Sequence, residues 1–350
     1  MGCCWLDVFE LILLVFVSTI STRKFSIGLL MSRQLELDPN QYLKFKDQFK
    51  TAAGEARAKV SFRNFDTLWF NTGTLCNLAC KNCYIESTPL NDNLVYITVQ
   101  EVLNYLDELR DLQTEDPQIA FTGGEPFMNP DFLEILDECL SRHLRVLVLT
   151  NAMKPMQHKK LDLLRLKDRH SDEELVLRVS IDHYEPTVHE SERGANSWSP
   201  MIDGINWLRD NNFMIKIAGR RLVHESLEES KIGYGRLFDN LGLILDPNDA
   251  DDLVIFPEMN LLLDVPEITE QCWDILSVSP NSQMCANSRM IVKRKGAPNP
   301  TVVSCTLLPY DSKFELGASL KGSLGETYLN HPHCAQFCVL GGASCSNGSK

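Results

Sequence analysis

Between Asp66 and Glu258, short apolar β-rich runs alternate about six times with amphipathic stretches. The runs Thr67–Asn71, Gln118–Phe121, Arg145–Thr150, Leu175–Ser180, Met214–Ala218 and Leu253–Phe256 read as strands. Between them, Val102–Leu112, Asp131–Arg142 and Ser199–Asn211 read as helices. In the second helix Phe132, Ile135, Leu136, Cys139 and Leu140 recur at helical spacing, so Cys139 is expected in the core rather than at a metal. Regular strand–helix alternation implies a parallel sheet with right-handed crossovers. At ~30 residues per unit the span holds six units, so the predicted fold is α/β, a partial (β/α)6 TIM barrel over residues 67–260. Working residues of such barrels lie at the carboxyl ends of strands. The polar and glycine-rich motifs follow that rule: Cys76, Gly123–Glu125, Thr150–Asn151, Ser180, Asp182, Arg220 and Glu258 each close or follow a strand.

The pattern changes outside that span. After Leu261, Met290–Lys295 and Thr301–Cys305 predict a hairpin across GAPNP, followed by a loop-rich, cysteine-bearing tail. Residues 261–350 are therefore expected to be a small second unit, a cysteine-rich β-hairpin/loop module. Residues 32–66 are expected to supply a lead-in helix, Asn40 to Ala53, and a strand. Residues 1–31 form an apolar extension. Its Val8–Ile20 stretch, interrupted by Glu10, is shorter than the ~20 residues needed to span a bilayer and has no basic n-region. The opening MGCC resembles an acylation site, but Leu6 stands where serine or threonine is required. The expectation is that Met31 begins the functional protein, with a membrane anchor as the minor alternative.

A net charge of −13 argues against a nucleic-acid partner, which needs a clustered basic face. The basic runs are short: Arg294 with its lysine neighbours suits a solvated hairpin face, and Arg220–Arg221 an anion contact. Twelve cysteines in 350 residues are many for a cytoplasmic chain unless they bind metal. Disulfides are the alternative. Cluster chemistry belongs in a reducing compartment, so a cytoplasmic location is expected.

Cys76, Cys80 and Cys83 follow a C-x3-C-x2-C spacing with no close fourth cysteine or histidine. A closed site wants four ligands, so this one keeps a coordination position open. Thiolates are soft donors suited to iron–sulfur clusters, and zinc completed by a distant residue is the other reading. Thirty-eight residues after Cys83 begins FTGGEP, Phe121 to Pro126, whose glycines let backbone approach a ligand closely. The triplet followed by GGEP resembles the radical S-adenosylmethionine (SAM) superfamily. That resemblance implies a [4Fe–4S] cluster on the three cysteines, with SAM chelated at the open iron. It implies that Gly123, Gly124 and Glu125 receive the SAM ammonium and that Ser180 contacts the ribose or methionyl part. Asp182 belongs to the same cofactor-binding strand end, and Arg193 is implied as partner of the methionyl carboxylate. The superfamily usually has an aromatic just before the third cysteine. Here that position is Asn82, and Tyr84, one residue after Cys83, is the aromatic available for the adenine.

In the tail, Cys285 before the hairpin and Cys305 at its end resemble the opening half of the SPASM and twitch auxiliary-cluster modules. One auxiliary [4Fe–4S] cluster on Cys285, Cys305, Cys334 and Cys338 is expected, with Cys345 as substitute, Cys272 less favoured, and zinc as the alternative metal. Glu258 is a candidate substrate contact or proton acceptor. His183, His189, His331 and His333 receive no role. The implied activity is reductive cleavage of SAM and hydrogen abstraction from a substrate. A flavodoxin or ferredoxin would supply the electron. A peptide or protein substrate is favoured. The alternatives are a small-molecule dehydrogenase and a non-enzymatic iron–sulfur or zinc protein.

Overall fold

The computed structural model describes residues 44–170, 175–259 and 263–343. Ten strands occur among them. β1 (Lys59–Val60) pairs with β10 (Thr327–Tyr328) in a small antiparallel ribbon. The remaining eight form one sheet: β2 (Thr67–Asn71), β3 (Gln118–Thr122), β4 (Arg145–Thr150), β5 (Leu175–Ser180), β6 (Met214–Arg221), β7 (Leu253–Pro257), β8 (Ser288–Val292) and β9 (Thr301–Val303), in the order β7-β6-β5-β4-β3-β2-β8-β9. From β2 to β7 all neighbours are parallel, the arrangement expected of strands joined through helices. Every residue of β2 is buried, as both faces of a parallel sheet should be. Leu68, Phe70, Ile119 and Phe121 point outward onto the helices, while Trp69 and Ala120 point inward.

The hairpin differs from the sequence expectation in one respect. It is not set apart from the barrel, because β8 pairs in parallel with β2, Thr67 opposite Ser288 and Phe70 opposite Ile291. Only β9 is antiparallel. The tail thus adds a seventh parallel strand and packs Phe337 and Val339 into the same core as Trp69 and Leu147. The hairpin also ends earlier than expected: beyond Val292 the chain leaves β9, and Lys293 accepts from Val95 N–H at 2.8 Å.

Two further boundaries shift for local reasons. The first crossover helix runs Val99–Asp111, starting before Val102 because Thr98 and Glu101 form a capping box. β6 continues through Arg221, so Arg220 lies within the strand, opposite Phe256. The lead-in helix expected over Asn40–Ala53 is absent from its described part, which is turns and bends. There Phe45 has a left-handed backbone, and Glu267 accepts from Phe45 N–H and Ala52 N–H, both at 2.6 Å. Those bonds wrap the segment around the buried Arg57–Glu267 ion pair, 2.6 Å apart, which ties it to the C-terminal third. Tertiary partners have overridden the helical pattern. No described helix is long and apolar enough to cross a membrane, and Val8–Ile20 lies outside the described residues.

Candidate active site

Because β2 to β7 run parallel, their carboxyl ends share one rim. The cysteine loop leaves β2 there and folds onto the turn that leaves β3. Gly124 N–H donates to Gly73 O at 2.8 Å and Glu125 N–H to Leu75 O at 3.2 Å, so the diglycine turn is bonded to the residues just before Cys76. Gly123 has φ +148°, and a β-carbon on it would stand 2.5 Å from Gly73 O. A β-carbon on Gly124 would stand 2.0 Å from Leu75 O, a backbone atom that cannot rotate away. Gly124→Ala should therefore displace the root of the cysteine loop and cost about 1–3 kcal/mol as overpacking. Urea denaturation would measure the loss, and iron content after reconstitution should fall with it.

Glu125 is 1% exposed, and both its oxygens are used. Oε1 accepts from Thr150 Oγ1 at 2.8 Å and from Phe127 N–H at 3.3 Å, and Oε2 accepts from Asn151 N–H at 2.8 Å. In the fold this carboxylate, expected at the cofactor, locks the end of β3 to the turn after β4. Burial pushes its pKa up to about 7, against the pull of those donors. Asn151 carries the link onward, donating to Asn77 Oδ1 at 2.9 Å with the same amide 4.0 Å from Cys76 Sγ.

Cys76, Cys80 and Cys83 are all free of disulfides. Burial pushes the Cys76 thiol up to about 12, and the other two thiols lie close enough to add to the shift. Cys80 is also raised, chiefly by burial, with Arg193 opposing. Leu78 N–H points at Cys76 Sγ (3.4 Å) and Ser87 N–H at Cys83 Sγ (3.3 Å), donors suited to an anionic sulfur. Buried thiols of this kind stay protonated until a soft metal displaces the proton.

Asp182 and Arg193 meet beside Cys80. Arg193 Nε donates to Asp182 Oδ2 at 3.0 Å, and Arg220 Nε stands 3.7 Å from Asp182 Oδ1. Burial works to raise the Asp182 carboxyl, but the two guanidinium groups outweigh it and hold it below its ordinary range. Arg220 is spread over the Tyr84 ring at 4.7 Å, donates to Tyr84 Oη at 3.1 Å and to Asn82 O at 3.0 Å, and keeps Nε buried without a hydrogen bond. Tyr84 in turn donates to Pro257 O and packs against Phe256 and Phe337, so it clamps the cysteine loop to β7 and to the tail. Ser180 closes β5, half-buried at the rim. Glu258 lies one residue past β7, and its Oε2 accepts from Val223 N–H at 3.1 Å, so it braces the loop after β6. His189 is fully buried among these groups and held neutral, at about 3, by burial first and the Arg193 charge second.

Sequence reasoning passed over Glu192. Its carbonyl accepts from Lys81 N–H at 2.8 Å and its carboxylate from Asn82 Nδ2 at 2.6 Å. The short helix Pro186–Arg193 thus holds the cysteine loop by its last turn. The available signal was the acidic residue directly before Arg193.

A second thiol group lies in the tail. The β8–β9 hairpin carries Cys285 just before it and Cys305 just after, and both are electrostatic neighbours of Cys334. Cys334 and Cys338 are one turn apart in the wide helical turn Cys334–Val339. Burial raises Cys285 to about 11 and Cys334 well above the ordinary thiol value. Arg289, 1% exposed, donates from Nη1 to Cys285 O at 2.7 Å, placing a buried cation beside the group. Cys272 instead contacts Thr269, and Cys139 lies in the outer core as expected. Cys345 falls outside the described residues. Among the described residues, no three His, Cys, Asp or Glu side chains converge closely enough to hold a single metal ion.

A family model described as the Radical SAM superfamily matches residues 70–223. Over 144 residues the chain is 31% identical to the antilisterial bacteriocin subtilosin biosynthesis protein AlbA of Bacillus subtilis (strain 168), covering 41% of this chain and 30% of that protein. It is 26% identical over 140 residues to the mycofactocin maturase MftC of Mycobacterium ulcerans, covering 39% and 35%. It is 29% identical over 148 residues to an AdoMet-dependent heme synthase of Methanosarcina barkeri, covering 41% and 38%. The match thus spans less than two fifths of each of these relatives. Among solved structures, Streptococcus suis SuiB bound to S-adenosylmethionine aligns with TM-score 0.52 at 12% identity, over 73% of this chain and 63% of that one. Native anSMEcpe with bound AdoMet aligns with TM-score 0.53 at 14% identity, over 73% and 79%. At such identities the likeness is one of fold.

Proposed function

We propose that this chain, whose residues 70–223 match the Radical SAM superfamily model, cleaves S-adenosylmethionine reductively and takes a hydrogen atom from a peptide or protein substrate. The observation that carries the reading is the bonding of the diglycine turn to the root of the three-cysteine loop, with Asp182 and two arginines beside Cys80. The donor set fits the cofactor: three free soft thiols, backbone N–H groups aimed at two of the sulfurs, and buried guanidinium groups to balance negative charge.

When bound, the cluster and SAM supply a one-electron cleavage of the sulfonium and a carbon radical strong enough to remove hydrogen. The chain's own residues hold the site. Cys76, Cys80 and Cys83 would ligate three corners. Gly123 and Gly124 would let backbone approach the SAM ammonium, and Ser180, at the end of β5, would contact the ribose or methionyl part. Arg193 and Arg220, both paired with Asp182, are the cations at this rim that could meet the methionyl carboxylate. Trp69, Leu147 and the tail's Phe337 fill the inner core and keep the site dry. Cys285, Cys305, Cys334 and Cys338 would hold an auxiliary cluster, with Arg289 as its buried counter-charge.

A peptide substrate is supported by what the relatives' names record, a bacteriocin biosynthesis protein and a maturase, and by a SuiB structure bound to precursor peptide SuiA. The heme synthase similarity favours a small-molecule substrate as the second reading. Anaerobic reconstitution with iron and sulfide, then dithionite and SAM, should yield 5′-deoxyadenosine. A reconstituted protein with full iron that releases none would overturn the proposal.

A further inference from the structure

Resting on that reading, we infer that the cleft lined by Asn77 and Leu78 of the cysteine loop is the docking face for a small acidic one-electron carrier protein. The cleft has a volume of ≈ 620 Å³. One wall is Asn77 and Leu78, between Cys76 and Cys80, and the facing wall comes from Met153 to Lys159. Asn77 Nδ2 lies 3.9 Å from Met153 Sδ, and Asn151 joins Asn77 to Cys76 as described above. A partner seated there is separated from the first thiol by one layer of side chains. Ser180, Asp182 and Arg193 do not line the cleft, so it is separate from the Asp182–arginine cluster beside Cys80.

Its charge selects the occupant. On a chain of net charge −13, the cleft is lined by Lys154, His158 and Lys159 and by no aspartate or glutamate. Lys154 is exposed and Lys159 half-exposed, and among the described residues neither has an ion-pair partner. The centre is apolar, with Leu78, Met128, Met153 and Pro155. A small apolar centre ringed by one sign of charge is the design of weak, steered electron-transfer encounters. An acidic flavodoxin- or ferredoxin-type protein meets both demands: its carboxylates face the lysines while the edge of its redox group faces Leu78. In the encounter the carrier is oxidised by one electron, and the cluster site behind Cys76 is reduced by one.

The test is the K154E/K159E variant, whose changes lie on the surface, reconstituted and compared with wild type. Reduced flavodoxin is one reductant and excess dithionite the other, with 5′-deoxyadenosine formation and the rate of cluster bleaching as readouts. Flavodoxin-driven bleaching should fall about 10-fold or more and lose its dependence on ionic strength, while the dithionite-driven reaction stays at the wild-type level. Titration of the reconstituted proteins with oxidised flavodoxin should show the same loss as weakened binding. If the variant bleaches with flavodoxin as fast as wild type, this face is not the docking site, whatever the fate of the radical SAM reading. If wild type forms no 5′-deoxyadenosine with dithionite, the parent reading fails and the docking face with it.

Discussion

Cys76→Ala, reconstituted anaerobically, should bind about half the wild-type iron, one cubane of the two, and form no 5′-deoxyadenosine. The cofactor carries the difficult chemistry, so its loss removes essentially the whole rate enhancement, on the order of 10⁶-fold or more. The fold should survive. Cys76 is a small buried side chain whose loop is held independently by Cys76 N–H to Thr88 O, by the diglycine bonds, and by Glu192 on Lys81 and Asn82. The tail supplies the contrast. Cys334→Ala should also lose about half the iron but keep 5′-deoxyadenosine formation, because its neighbours are Cys285 and Cys305 rather than the β2 loop. Circular dichroism confirms folding in each case, and iron and sulfide assays count the clusters. A Cys76→Ala protein that still cleaves SAM at the wild-type rate sinks the three-thiol site.

Much of this architecture could be read locally. The six barrel strands announce themselves as short β-rich runs, and β2, β4 and β5 occupy the residues the pattern predicts. The clustering of chemistry on one rim follows from parallel strands alone, so Cys76, Gly123, Thr150 and Ser180 were legible as neighbours before any coordinates. What could not be read is whom each polar group serves. Glu125 beside a diglycine turn looks the same in sequence whether its carboxylate faces a ligand or, as here, Thr150 and Asn151. Arg193 offers a free fork in sequence, yet Asp182, eleven residues earlier, takes it. The parallel pairing of β8 with β2 was equally invisible, since Phe70 opposite Ile291 leaves no trace in either local pattern. The Arg57–Glu267 pair shows the same limit, and it cost the reading its lead-in helix.

Asp182→Asn should destabilise the protein by about 3–5 kcal/mol, because the carboxylate stands between two buried cations. Its own side chain is 10% exposed, that of Arg193 12% and that of Arg220 7%. An asparagine offers one carbonyl oxygen and no charge, so both guanidinium groups would remain buried without a counter-ion. Removing one charge along with the carboxylate, in Asp182→Asn/Arg193→Met, should recover part of the loss, since the penalty lies in the unpaired cation. The pH dependence separates this charge effect from simple misfit. The Asp182 carboxyl is held below its ordinary range in the fold. Its stabilisation is therefore complete above that range and is lost as pH falls through the lowered pKa. The wild-type-minus-variant difference, from urea melts of the metal-free proteins, should stay flat from about pH 5 to 8 and shrink toward acid. A difference that persists undiminished into strong acid would mean that Asp182 acts through shape and hydrogen bonding alone. The two arginines beside the cysteine loop would then need another source of negative charge to stay buried.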